Sequence, residues 1–107
     1  MLKFMVVLHR RPDLSPAEFR EYLDKIHAPL AKKVPGLKGY RQNHAADDRN
    51  RKRPGWDAIV ELYWEDRETM EAAWAGPEGV ASDADLPVFA DLDHTTWSVV
   101  DEITFLP

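Results

Sequence analysis

Asp57-Ala58-Ile59-Val60-Glu61-Leu62-Tyr63-Trp64 alternates in a way that decides how this chain folds. Ala58, Val60, Leu62 and Trp64 share one face of a strand; Ile59, Glu61 and Tyr63 share the other. One face is wholly apolar and the second largely so. Leu2 to His9 repeats the pattern, with Leu2, Phe4, Val6 and Leu8 opposed to Met5, Val7 and His9. Both strands therefore ask for cover on two sides.

The segments around these strands supply cover for one side. Ser15 stands three residues before Glu18 with Pro16 between them, a capping box with proline at the first helical position. From there Phe19, Tyr22, Leu23, Ile26 and Leu30 recur at three- and four-residue steps, giving an amphipathic helix. Pro29 removes a backbone donor and crowds the carbonyl of Lys25, so this helix should kink or stop around Ala28. Val34-Pro35-Gly36 reads as a turn, Leu37 to His44 as a second strand, and Ala45 to Gly55 as a polar, basic hairpin loop. Asp66 can cap a second helix carrying Met70, Ala73 and Trp74, which Gly76-Pro77 ends. A shorter helical piece is expected over Pro77 to Ala84, an irregular stretch over Ser82 to Asp93, and a fourth strand over Thr95 to Phe105.

Strand, helix, strand, strand, helix, strand is the ferredoxin-like α+β order βαββαβ, in which two helices cover one face of a four-stranded antiparallel sheet. The second face would leave Met5, Val7, Ile59 and Tyr63 as an apolar patch. A homodimer in which two sheets pack face to face, a dimeric α+β barrel, would cover it. A monomer holding a large apolar ligand on that face is the competing arrangement.

With 107 residues, 44% hydrophobic and 31% charged, the chain reads as a single folded domain over 1–107 rather than a disordered or fibrous one. The absence of cysteine removes disulfides, thiolate catalysis and iron–sulfur ligation. Neither a membrane span nor a secretory layout is visible, so a soluble, cytoplasmic protein is expected. The net charge of −5 argues against nucleic acid. Its distribution is polar: residues 1–56 carry 13 basic and 6 acidic side chains, residues 57–107 carry 1 basic and 13 acidic. Attraction between different regions of two copies is one consequence. Arg49, Arg51, Lys52 and Arg53 lack interleaved aromatics and read as a solvated loop. His9, His44 and His94 show no metal-ligand spacing, so no metal is expected.

His9-Arg10-Arg11-Pro12-Asp13-Leu14-Ser15, Glu18-Phe19, His27-Ala28-Pro29-Leu30, Pro35-Gly36-Leu37 and Tyr40, followed by the third strand, are together similar to the EthD family of the dimeric α+β barrel superfamily. The resemblance spans almost the whole chain. It implies a homodimer and a small hydrophobic molecule as partner, with no organic cofactor or obligatory metal. Relatives include isomerase-type and polyketide-processing enzymes and an accessory protein of ether degradation. In the isomerase branch a histidine and a third-strand cysteine line the pocket; the histidine corresponds to His27, while the cysteine position falls near Leu62.

Among the residues themselves, His27 lies roughly 80° from Phe19 around the helix, at the border of its apolar stripe. It is either a proton shuttle at a pocket or a half-buried histidine bonded to a free carbonyl at the helix end. Glu61 is either a second acid/base group, raised in pKa by burial, or one half of an ion pair with a residue such as Arg41. Tyr40 either donates a hydrogen bond to a substrate carbonyl or packs. With those three as catalytic candidates, Tyr22, Ile26, Ile59, Tyr63, Trp74 and Trp97 are the expected pocket lining, and Trp64 is a further aromatic that either walls a ligand site or belongs to the core. The functions that follow are a cofactor-independent isomerase, dehydratase or cyclase acting on a carbonyl or lactone compound, or a non-catalytic accessory or ligand carrier. Haem or oxygen chemistry, found elsewhere in the superfamily, is a third reading.

Overall fold

A computed structural model describes residues 1–52 and 54–107; Arg53 of the basic run lies outside the described residues. Strand β1 (Leu2–Leu8) lies inside a four-stranded sheet of order β2-β3-β1-β4, with β2 at Gly39–His44, β3 at Ala58–Trp64 and β4 at Thr96–Val100. All neighbours are antiparallel, and Val6 sits opposite Val60 on one side and Trp97 on the other. This is the ferredoxin-like α+β arrangement that the element order predicts.

The first helical region begins as read from sequence. Ser15 Oγ accepts from the Glu18 amide and the Glu18 carboxylate accepts from the Ser15 amide, and α1 runs Pro16–Tyr22. The chain then stays helical where a kink or stop was expected. A π turn over Leu23–His27 leads directly into α2 (Ala28–Ala31), and the Ala28 amide reaches back five residues to the Leu23 carbonyl. Widening the turn relieves the crowding that Pro29 imposes on an ordinary α ladder and continues the helix for one more turn. His27 is the last residue of that widened turn.

Helix α3 (Arg67–Ala75) starts at Asp66, whose side chain accepts from the Thr69 amide. Pro77 has no amide hydrogen and disfavours a helical Gly76, which is extended with ψ 172°. The helix breaks there and restarts as α4. Helix α4 spans Pro77–Phe89, thirteen residues, and absorbs most of the region that looks irregular in sequence. Ser82, Leu86 and Phe89 are its buried residues after Gly79, spaced by four and then three. Pro87, two residues before the end of α4, removes one amide donor from the last turn. The elbow is tight: a Cβ on Gly79 would lie 2.3 Å from the Ala73 carbonyl oxygen and 2.7 Å from Trp74 Cα.

All helices pack on one sheet face. Val6, Leu8, Val60, Leu62 and Trp64 from the sheet meet Phe19, Leu23, Met70, Ala73, Leu86 and Phe89 from the helices. Trp64 is fully buried in this core, and its indole N–H donates to the Pro35 carbonyl at 2.9 Å. Gly36, with φ +76°, makes the adjoining turn.

The opposite face carries a polar cluster within the apolar patch expected there. Lys3 and Glu61 form an ion pair at its centre, Asn43 and Tyr63 donate to the same carboxylate, and Arg41 stacks over the Tyr63 ring at 5.4 Å. Met5, Val7 and Ile59 are half-buried around that cluster. Strand β4 is also shorter than predicted. It ends at Val100, opposite Lys3, so Ile103 and Phe105 lie outside the sheet, 75% and 87% exposed. Their alternating pattern is strand-like, but β1, the neighbour that β4 pairs with, begins at Leu2.

Candidate functional site

A cavity of about 380 Å³ opens between the sheet and its helices. Phe4, Val6, Leu62 and Trp97 contribute from the sheet, Trp74 from α3, and Leu86 from α4. Tyr40 and His27 bring polar groups to the same space. The volume is within the range of small-molecule sites, and the lining is mostly apolar with a few polar groups, as such sites require.

His27 is buried, 6% exposed, and its Nδ1 lies 2.9 Å from Asp85 Oδ2. The helix-end carbonyl of the alternative reading is not its partner; this carboxylate is. Asp85 Oδ1 accepts from the Tyr22 hydroxyl at 2.8 Å. Phe89, fully buried, packs against both rings, with centroids 4.9 Å from His27 and 5.0 Å from Tyr22. Burial and the neighbouring Asp85 push the Tyr22 hydroxyl up to about 12, so it remains a donor to the carboxylate at neutral pH. Among the described residues no group hydrogen-bonds Nε2 of His27.

Tyr40 is held by a second network. Gln42 Nε2 donates both to the Tyr40 hydroxyl and to the Leu23 carbonyl, each at 3.0 Å, tying β2 to the start of the π turn. His44 completes it at 2.9 Å from Gln42 Oε1. Because the Tyr40 oxygen accepts from Gln42, its own proton remains available to an acceptor in the cavity. Burial holds its pKa above the ordinary tyrosine value, so that proton is present at neutral pH.

The structure thus brings His27, Tyr40, Trp74 and Trp97 to one space. It separates the other candidates from them. Glu61, Ile59 and Tyr63 stand on the opposite face of the sheet, because their alternation with the buried Val60, Leu62 and Trp64 sends them outward. Hydrogen bonding to Lys3, then to Asn43, lowers the Glu61 carboxyl to about 2. It is a permanent anion at neutral pH rather than an acid raised by burial, and Lys3 replaces Arg41 as its ion-pair partner. Ile26 is 52% exposed, because the π turn shifts it off the apolar stripe. Tyr22 donates to Asp85 and is not part of the cavity lining. The sequence marks neither Asp85 nor Gln42: the helical piece expected over Pro77 to Ala84 stops before Asp85, and a glutamine on a strand carries no motif. The four- and three-residue spacing of Ser82, Leu86 and Phe89 is the signal that would have extended the helix past Asp85.

A second, wider groove between the 45–57 loop and the start of α1 is lined by charged side chains of both signs. Two of its cations, Arg10 and Arg51, are already paired to Asp57 and Asp48. Among the described residues, no cluster of three or more His, Asp or Glu side chains is placed to hold a metal ion, and no helix is long and apolar enough to cross a membrane.

Comparison with known proteins adds a family to this geometry. The EthD domain profile matches residues 11–93. An uncharacterized 11.0 kDa protein from the thcB-thcC intergenic region of Rhodococcus erythropolis is 31% identical over 107 residues, covering all of both chains. An EthD family protein from Bacillus halodurans is 26% identical in structure-based alignment, with a TM-score of 0.80 over 96% of this chain and 100% of the other. SnoaB, a cofactor-independent oxygenase from Streptomyces nogalater, shares the fold at 17% identity, with a TM-score of 0.66 over 99% of this chain and 96% of its own.

Proposed function

This chain belongs to the EthD family, and we propose that it is a cofactor-independent acid/base enzyme acting on a small hydrophobic carbonyl or lactone compound. The observation that carries the reading is the buried imidazole of His27 in the wall of an apolar cavity of about 380 Å³, with one ring nitrogen held and the other unbonded. An imidazole takes or returns a proton at neutral pH, and Tyr40 supplies a hydroxyl donor for a carbonyl oxygen. Trp74, Trp97 and Phe4 give flat apolar walls suited to a ring. Isomerisation, dehydration and cyclisation all use such equipment. SnoaB's description as cofactor-independent supports chemistry performed by side chains alone.

The protein works as a homodimer in this reading, with the open sheet faces packed together as a barrel. Support comes from the half-buried Met5, Val7 and Ile59 and from the exposed Ile103 and Phe105, which a second copy would cover. Light scattering should give about twice the 12.3 kDa chain mass at micromolar concentration; a single-chain mass there would remove the dimer.

The enzymatic claim is tested with a panel of aromatic ketones and lactones incubated in D₂O and followed by proton NMR for exchange or conversion. His27→Ala should lower turnover of an identified substrate by about 100-fold or more. Equal turnover would remove His27 from the reaction. Tight binding without conversion, indifferent to His27→Ala, would establish the accessory or carrier role instead.

A further inference from the structure

Asp85 carries no role in the comparisons and no signal in the sequence, yet its environment restricts what it does. Its carboxylate is 13% exposed, and each oxygen has one partner: Oδ2 faces His27 Nδ1 at 2.9 Å and Oδ1 accepts from the Tyr22 hydroxyl at 2.8 Å. An ionised carboxylate only accepts hydrogen bonds. The nitrogen facing it must therefore carry a proton, which in a neutral imidazole leaves Nε2 with the lone pair. Phe89 packs against both aromatic rings and limits their rotation.

We propose that Asp85, held by Tyr22, is a positioning residue that locks neutral His27 in the Nδ1–H tautomer, so that His27 enters the reaction as a base through Nε2. This rests on the acid/base reading of the cavity and narrows its substrate class to carbonyl compounds bearing an acidic hydrogen on the carbon next to the carbonyl. In the first step the C–H bond breaks and its proton goes to Nε2. The electron pair becomes the C=C bond of an enolate, whose oxygen accepts the Tyr40 hydrogen bond. The imidazolium so formed is stabilised by the carboxylate of Asp85, 2.9 Å from its Nδ1. Where the substrate also carries a β,γ C=C bond, the electron pair spreads over a dienolate and the proton returns from Nε2 to the γ-carbon, completing an isomerisation to the conjugated carbonyl compound with no oxidant or reductant. A substrate needing only a leaving group protonated would instead be served by a histidine that starts as the acid.

Nitrogen-15 NMR of histidine-labelled protein reads the tautomer directly and needs no ligand. Wild-type His27, in its neutral form, should show a protonated Nδ1 and an unprotonated Nε2. Asp85→Leu should move the proton to Nε2, while Asp85→Asn, which keeps an acceptor oxygen and the volume, should show both tautomers. A wild-type spectrum with the proton on Nε2 overturns the proposal, even where neither variant folds. So does an Asp85→Leu spectrum identical to wild type. Deuterium wash-in at the α-carbon of 2-indanone or another ketone from the panel then gives the second reading: exchange should fall about 100-fold or more in Asp85→Leu. A correct tautomer with no exchange on any ketone would refute the enzymatic reading and the base assignment, while leaving the Asp85–His27 lock established.

Discussion

Replacing Gly79 by alanine sets two effects of opposite sign against each other. Glycine within a helix is about 1 kcal/mol less favourable than alanine, so propensity alone predicts that Gly79→Ala stabilises α4 by roughly that amount. The elbow between α3 and α4 predicts the reverse. The added methyl would meet the Ala73 carbonyl oxygen at 2.3 Å, Trp74 Cα at 2.7 Å and the Trp74 carbonyl oxygen at 2.9 Å. All three are backbone atoms, so relief requires one helix to move away from the other rather than a side chain to turn. Overpacking of this kind costs about 1–3 kcal/mol, occasionally more. Displacement would also loosen Leu86 and Phe89, which α4 contributes to the core. The balance is a net loss of up to about 2 kcal/mol. With a slope of about 1 kcal/mol per molar urea for a domain of this size, the unfolding midpoint should fall by up to about 2 M. Because Trp74 is the residue struck, its fluorescence in the native state should change as well. A midpoint equal to or above wild type would show that the two helices do not approach as closely as described, and the cavity wall that Trp74 forms would lose its basis.

Two further outcomes follow from the polar networks. Glu61 titrates at about 2 when folded against an ordinary 4.5, so its contribution is fully present above pH 4.5 and is lost as the pH falls through 2. The full displacement corresponds to about 3 kcal/mol, which screening at the open sheet face reduces to about 1–2 kcal/mol; urea midpoints measured between pH 5 and 2 should decline accordingly in wild type and much less in Lys3→Met, and parallel declines would contradict the pairing. Gln42→Leu removes the donor shared by the Leu23 carbonyl and the Tyr40 hydroxyl, and leaving buried polar groups unpaired should cost about 1–3 kcal/mol; a thermal midpoint within a degree of wild type would show that β2 does not anchor the π turn.

How far these features could be read from the sequence depended on how local their causes are. The capping box at Ser15, the alternation of β3 and the Asp66 cap act within a few residues, and the structure has them as read. The extents of α4 and β4 depend on distant partners. Leu86 and Phe89 are held in a helix by packing against the sheet and α1, while Ile103 and Phe105 alternate correctly but have no adjacent strand in the sheet. The site divides in the same way. His27 is legible because it borders the apolar stripe of its helix and matches the His-x-Pro-Leu of the family, Tyr40 because a strand tyrosine can donate to a carbonyl, and Trp74 and Trp97 because four tryptophans are many for 107 residues. Glu61 was misplaced relative to His27 because alternation says which residues share a face and not which face holds the cavity. Asp85, 58 positions from His27, becomes its neighbour only through the packing of α4 beside the π turn.

The central claim is that ligands enter between the sheet and its helices, beside His27. Val80, 57% exposed, lines the mouth of that cavity, so Val80→Trp should obstruct it with little cost to the core. Binding of an aromatic ketone such as 1-tetralone, measured by calorimetry, should weaken at least about 10-fold in Val80→Trp, a loss of about 1.4 kcal/mol, and stay unchanged in Tyr63→Phe on the other sheet face. Unaltered binding in Val80→Trp, with weakened binding in Tyr63→Phe, would place the ligand on the opposite side of the sheet and contradict the account.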